Sequence, residues 1–370
     1  SIDIYGNQNE YGGTTDGTKV RFDKVLPALN QISVSSSNNW NQSWAKVGDT
    51  IQYNVNASED LLDISLSVQG NNTAITYLSL IEYSFQYIFT NDNSDGQVNF
   101  EVIFSDSAGN SGDIVTGTTD NSYTIFDKVP PSDFTVQDVI TVGENSIANA
   151  WNSTNSAINI NIPVSDDESL DSGRVQIIAK VANNDFENLD SYHFFQSSDL
   201  NNSKIVSVSE SLVESISGFS ENDTITISAI IYDVPGNMTI GSESNTKLVI
   251  NQSIPIIINS NIESDFSDPS LAGVDNIITL IFETDTEIII PSVTISGQEA
   301  ITVNLGYNEW QASYTMQSSD EDGIIPFVID FMDVYGNPNS VINSTEDGTS
   351  VTFDNSKPSL SFVSIKSSNQ

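Results

Sequence analysis

The sequence has no cysteine, a single histidine, and only 11 lysines and arginines against 50 aspartates and glutamates. Each shortage excludes something. Without cysteine there is no disulfide, no thiol nucleophile and no thiolate metal site, so stability must come from packing or from ions. With His193 as the only imidazole, neither a Ser-His-Asp triad nor a histidine zinc centre can be built. His193 itself, in "DSYHFFQ", reads as a partly buried sheet residue. A net charge of −39 repels nucleic acid and anionic membrane surfaces and attracts cations. No apolar run approaches the roughly 18–20 residues of a membrane helix, so no membrane insertion is expected in this segment. The opening "SIDIYGNQNE" lacks the basic and apolar regions of a signal peptide, which places any export signal outside this stretch. Walker and Rossmann glycine patterns are missing. So is helical periodicity: only "SESLVESISGF" (209–219) suggests a turn or two of helix.

What the sequence does have is repetition. Asp-x-x-Gly-Asn begins at Asp3, Asp106, Asp233 and Asp333, at intervals of 103, 127 and 100 residues. A second signal follows each copy: "GTKVRFDKVLP", "NSYTIFDKVPP", "NTKLVINQSIP" and "GTSVTFDNSKP". From each motif aspartate to the Asp or Asn ahead of the proline is 20, 21, 18 and 21 residues. Two motifs in matched spacing mark a repeating unit. Inside the units apolar residues alternate, as at Ile51, Tyr53 and Val55 and at Ile158, Ile160, Ile162 and Val164. That is the period-2 pattern of a half-buried strand. "SDGQ" around Asp95 and "EDGI" around Asp322 read as hairpin turns. About seven short strands in about 100 residues fit a β-sandwich of immunoglobulin size. The expected fold is all-β, with tandem immunoglobulin-like β-sandwich domains in a linear array. Residues 1–26 are expected to hold the C-terminal strands of a preceding repeat. Three repeats follow at 27–129, 130–254 (the larger) and 255–356, and 357–370 supply the first strand of another.

The stretches "AKVGDTIQYNVNASEDL", "PSVTISGQEA", "NEWQASYTM", "DEDGIIPFVIDFMDVYGN" and "VTFDNSKP" resemble the bacterial immunoglobulin-like tandem repeats of very large surface proteins. The second unit departs from the pattern and looks like a longer sister type. The resemblance implies an extracellular, cell-surface location and a spacing role, as in adhesins and their extender regions, with calcium at domain junctions. It implies no reaction. The expected function is thus a non-enzymatic stalk or extender whose partners are neighbouring repeats of the same or like chains. The alternatives are a subunit of a surface layer or extracellular filament, and a carbohydrate-binding module array with surface glycans as partners.

In a sandwich of this kind the B–C and F–G loops lie at the pole nearest the preceding domain. Glu59, Asp60 and Asp106 should converge there, joined by Asp23 from the linker. The second unit gathers Asp166, Asp167, Glu168 and Asp233 with linker Asp127, and the third gathers Asp285, Glu287 and Asp333 with linker Asn251. Carboxylates so crowded repel unless a cation sits among them, and hard oxygen ligands favour calcium. Asn251 brings less charge, so the third junction should bind calcium more weakly. The plainer reading is that Asp-x-x-Gly-Asn is a turn, with Gly at positive φ and Asp and Asn capping their own backbone. "NDNSDGQVNFEV" (91–102) echoes an EF-hand loop but has Val102 where a bidentate Glu is required, and reads as a hairpin. Trp310 reads as core, whereas Trp151 and the Trp40/Trp44 pair, in polar surroundings, are the candidates for stacking on sugar rings.

Overall fold

The computed structural model describes residues 4–5, 7–8, 12–14, 16–20 and 22–368. The first motif copy, at Asp3, lies outside them. Three hydrophobic cores follow one another along the chain, each enclosed by its own sheets.

In the first, one sheet pairs Leu29–Ser36, Thr50–Ala57, Glu82–Ile88 and Ala74–Tyr77 in that spatial order. A second sheet pairs Asn71–Asn72, Leu61–Val68 and Phe100–Asp106. A third places Ile125–Phe126 between Trp44–Ala45 and Gly96–Gln97. The four-stranded sheet follows the A-B-E-D order of immunoglobulin sandwiches, and the strands facing it are their C, F and G. The alternation in the sequence sets the facing. Thr50–Ala57 buries Ile51, Tyr53, Val55 and Ala57 and turns the residues between them outward. Each large side chain buried this way contributes about 1.5–3 kcal/mol.

The third sandwich repeats the plan with Ile257–Ser264, Ile277–Thr284, Glu309–Thr315 and Ile301–Gly306 in one sheet. The second is larger. Asn155–Val164 lies between Val139–Gly143 and Asn202–Ser209, and a seven-stranded sheet is built on Arg174–Val181 and Thr224–Tyr232. Its extra length holds Glu210–Val213, the one α-helix among the described residues. In all three, a short early strand pairs in parallel with the last: Trp44–Ala45 with Ile125–Phe126, Ala150–Trp151 with Leu248–Ile250, and Leu271–Ala272 with Thr352–Phe353.

Two expectations change. The segments at Asp95 and Asp322 are not hairpins. Gly96–Gln97 pairs with Ile125–Phe126, and Gly323–Ile324 with Thr352–Phe353, so each turn carries the chain from one sheet across to the other. Trp151 is fully buried in the second core and offers no face to a sugar, while Trp310 is core as expected.

Each sandwich has two poles. Leu29–Ser36, eight residues long, spans roughly 26 Å between them. At its start the Ala28 N–H donates to Ser58 Oγ; beyond its end stand Asn38 and Lys46. Residues 22–26 and 357–368 contribute no strand to any sheet. Because the cores are separate, damage to one should stay local. Phe282→Ala, at a site 1 % exposed, should cost the third sandwich about 3–5 kcal/mol. Hydrogen exchange along a urea titration should show that sandwich opening first while the other two keep their protection.

Candidate functional site

The three described copies of the repeated motif form the same turn, except that Pro235 has no N–H to donate and Gly236 donates in its place. Asp106 Oδ1 accepts the N–H groups of Ala108 and Asn110 at 2.9 and 2.8 Å. Asp233 Oδ1 accepts those of Gly236 and Asn237 at 2.7 and 2.6 Å, and Asp333 Oδ1 those of Tyr335 and Asn337 at 2.9 and 2.8 Å. The other carboxylate oxygen takes the asparagine side-chain amide, at 2.8, 2.8 and 2.9 Å. Gly109, Gly236 and Gly336 sit at φ of +88°, +93° and +92°, which a side chain would strain. The turn therefore holds one asparagine in a fixed pose.

That asparagine has a second N–H, and it points at the linker. Asn110 Nδ2 reaches the carbonyls of Asp23 and Val25 at 3.4 and 3.3 Å, and Asn237 Nδ2 reaches that of Asp127 at 3.0 Å. Asn337 Nδ2 reaches both the carbonyl and the Oδ1 of Asn251, at 3.1 and 2.7 Å. The preceding sandwich grips the next linker residue. Asp95 accepts the Lys128 N–H at 2.8 Å, Glu221 that of Gln252 at 2.9 Å, and Asp322 that of Asn355 at 2.7 Å. Lys128 Nζ also closes the loop that echoes an EF-hand, donating to the carbonyls of Asn91 and Asn93.

The sandwiches also touch directly. Buried Asn38 donates to the Pro235 carbonyl at 2.8 Å, and buried Asn152 to the Tyr335 carbonyl at 2.7 Å. Both acceptors hold the position just before the motif glycine of the following sandwich. Lys46 Nζ adds a bond to the Gly236 carbonyl at 2.8 Å, and Ser153 N–H one to Asn337 Oδ1 at 2.8 Å.

The predicted acidic residues group unevenly. Asp23, Glu59, Asp60 and Asp106 line one cleft of about 410 Å³ with Ser107 and Ala108. At the next junction Asp167 lies close enough to Asp127 to raise its pKa, and Asp127 close enough to Asp233 to raise that one. Asp167 also caps its own short helical turn through Ser169 N–H, while Asp166 and Glu168 face solvent. At the third junction Asn251 and Asp333 are bridged by Asn337. Asp285 is exposed and accepts the Ile256 N–H at 2.9 Å, and Glu287 is exposed. As the side chains stand, no three acidic groups among the described residues converge closely enough to ligate an ion. The donors are nonetheless hard oxygens, which calcium accepts. The buried Ser169 hydroxyl, facing Asp127 with no partner at bonding distance, is another.

One turn gives opposite electrostatics in two settings. The Asn110 amide holds Asp106 below the usual carboxylate range, with the backbone N–H groups assisting. Asp233 makes the same bonds beneath the first sandwich, and there burial prevails, pushing it up to about 7 with Asp127 adding to the rise. Asp127 is itself raised, first by burial and then by Asp167 and Asp95.

No protein-family model and no curated protein matches the chain. Solved structures do. One is from a 1.5-MDa bacterial ice-binding adhesin, at 16% identity and a TM-score of 0.35, covering 88% of this chain and 98% of the other. A second is a Ca2+-stabilized adhesin of an Antarctic bacterium that binds ice, at 15% identity and a TM-score of 0.43, covering 88% and 74%. A tandem from titin gives 8% identity and a TM-score of 0.28, covering 84% and 94%. At these values the likeness extends to no site and no role.

The raised pKa of Asp233 has a definite sign. The folded chain holds this proton more tightly than the unfolded chain, whose value is near 3.8, so this contribution to stability is lost as pH rises from about 4 through about 7. Thermal unfolding of the second sandwich in chelator should show that decline, and Asp233→Asn should flatten it.

Proposed function

We propose that this chain is a non-enzymatic stalk segment of a large extracellular, adhesin-like surface protein, stiffened by calcium at its junctions. One observation carries the reading. Both linkers that join two sandwiches are bonded on one side to the sandwich before and on the other to the sandwich after, at Lys128 and Asp127 and again at Gln252 and Asn251. A segment so gripped transmits orientation, which a spacer requires and a freely jointed chain of modules does not. Three sandwiches stacked pole to pole span on the order of 100 Å at the rise of an extended strand.

Calcium enters through the carboxylates left over once the turns are made. Asp23, Glu59 and Asp60 stand with Asp106 in one cleft, and Asp127 and Asp167 stand with Asp233 at the next junction. An ion there would offset the burial and the lesser repulsion that raise Asp127 and Asp233, drawing the loops inward. At the third junction the Asn337 amide donates a hydrogen bond directly to Asn251 Oδ1, so calcium should matter least there.

Small-angle scattering should give a longer, narrower particle in millimolar calcium than in chelator. The unfolding temperature should rise with calcium, because the ion binds the folded state. The rise should be larger at pH 8 than at pH 5, where a proton competes for Asp233. Asp127→Asn should reduce the response of the first-to-second junction alone. Scattering and calorimetry unchanged by calcium across the millimolar range would remove calcium from this reading.

A further inference from the structure

One contact at the first-to-second junction is built from aromatic rings around a guanidinium. Arg174, one of two arginines in the chain, is 3 % exposed at the start of a central strand of the second sandwich. Its guanidinium lies 3.5 Å from the ring centroid of Trp40, which belongs to the first sandwich. On its other sides stand Tyr232 at 4.6 Å and Tyr192 at 5.2 Å, both of the second. Trp40 meets Tyr192 edge-on at 5.4 Å, and Tyr192 meets Tyr232 at 5.7 Å, so the three rings form one cage. The guanidinium makes one long hydrogen bond, from Nη1 to the Asp233 carbonyl at 3.4 Å, and its buried Nε has no partner. The ring faces therefore supply most of what solvates this cation. A cation over a ring is worth about 0.5–1 kcal/mol when exposed and about 2 or more when desolvated.

The second-to-third junction lacks such a cage. Asn152 fills the role of Asn38 there, but the direct bonds join neutral side-chain amides and backbone. The first sandwich also presents Lys46 and Lys128 at this pole. Three of the chain's 11 cations are thus committed to one junction of a polyanion.

We infer that Trp40 and Arg174 form a metal-independent clamp that fixes the angle between the first and second sandwiches and keys the far pole of the first to a partner carrying this arginine cage. Trp40 is a positioning residue: it acts on the neighbouring sandwich and is 48 % exposed, so removing it spares both cores. The inference stands apart from the calcium proposal and predicts order in chelator.

The test exploits the absence of cysteine, since introduced thiols are unique labelling sites in the full chain. Nitroxides on Asn54→Cys and Ser207→Cys report the first-to-second distance by pulsed EPR, and Ser207→Cys with Glu299→Cys reports the second-to-third. Both labelled chains are measured in chelator and in calcium. The expected result for the first pair is one narrow distance in both conditions, lost in Trp40→Ala and kept in Trp40→Phe. The second pair should not respond to Trp40→Ala. The clamp is overturned if the unsubstituted first pair is already broad in chelator, if Trp40→Ala leaves it narrow, or if Trp40→Ala broadens both pairs alike. A chain that ignores calcium but loses its narrow distance in Trp40→Ala would keep the clamp and discard the calcium reading.

Discussion

The backbone between two folded bodies has donors and acceptors that must find partners in one body, in the other or in water. Here both bodies supply them. The carbonyl of Asp127 is taken by the following sandwich and the N–H of Lys128 by the preceding one. The rest of each junction follows from that division. The motif aspartate orders a tight turn, the glycine lets the turn close, and the turn aims an asparagine amide at the linker. The repeated motif is thus a turn, as its residue types suggest, and the turn's product is a clamp.

Much of this could be read from the sequence. Alternation at Ile51, Tyr53 and Val55 gave the right strand and the right buried face, because a period of two leaves only one way to hide three large side chains. The exit from Asp95 was misjudged because a glycine turn says that the chain reverses but not into which sheet. Trp151 was misjudged because its neighbours in "NAWNST" are polar, although a two-residue strand is enough to carry a ring into a core. The acids that hold the linker were visible only in hindsight, as a recurring offset of 31 to 33 residues ahead of the bonded N–H. Nothing local joins Trp40 to Arg174. They lie in different repeats of different types, and only the stacking of sandwiches brings them together.

Charge is distributed with the same economy. In a chain so poor in cations, Lys180, Lys204 and Lys247 pair with acids on the second sandwich. Lys46, Lys128 and Arg174 meet backbone carbonyls and aromatic rings instead. In the same turn, burial pushes Asp233 up to about 7, while the Asn110 amide holds Asp106 below the usual carboxylate range.

The parallel pairing of a short early strand with the last strand recurs in all three sandwiches. A load that draws the ends of the stack apart pulls on the two ends of each sandwich. In a parallel pair that load acts along the strands, so the hydrogen bonds between them are sheared together and share it. An antiparallel pair at the same place would be opened from one end, one bond at a time. The two-residue strand pairs are thus small in area and placed where a chain under tension is held.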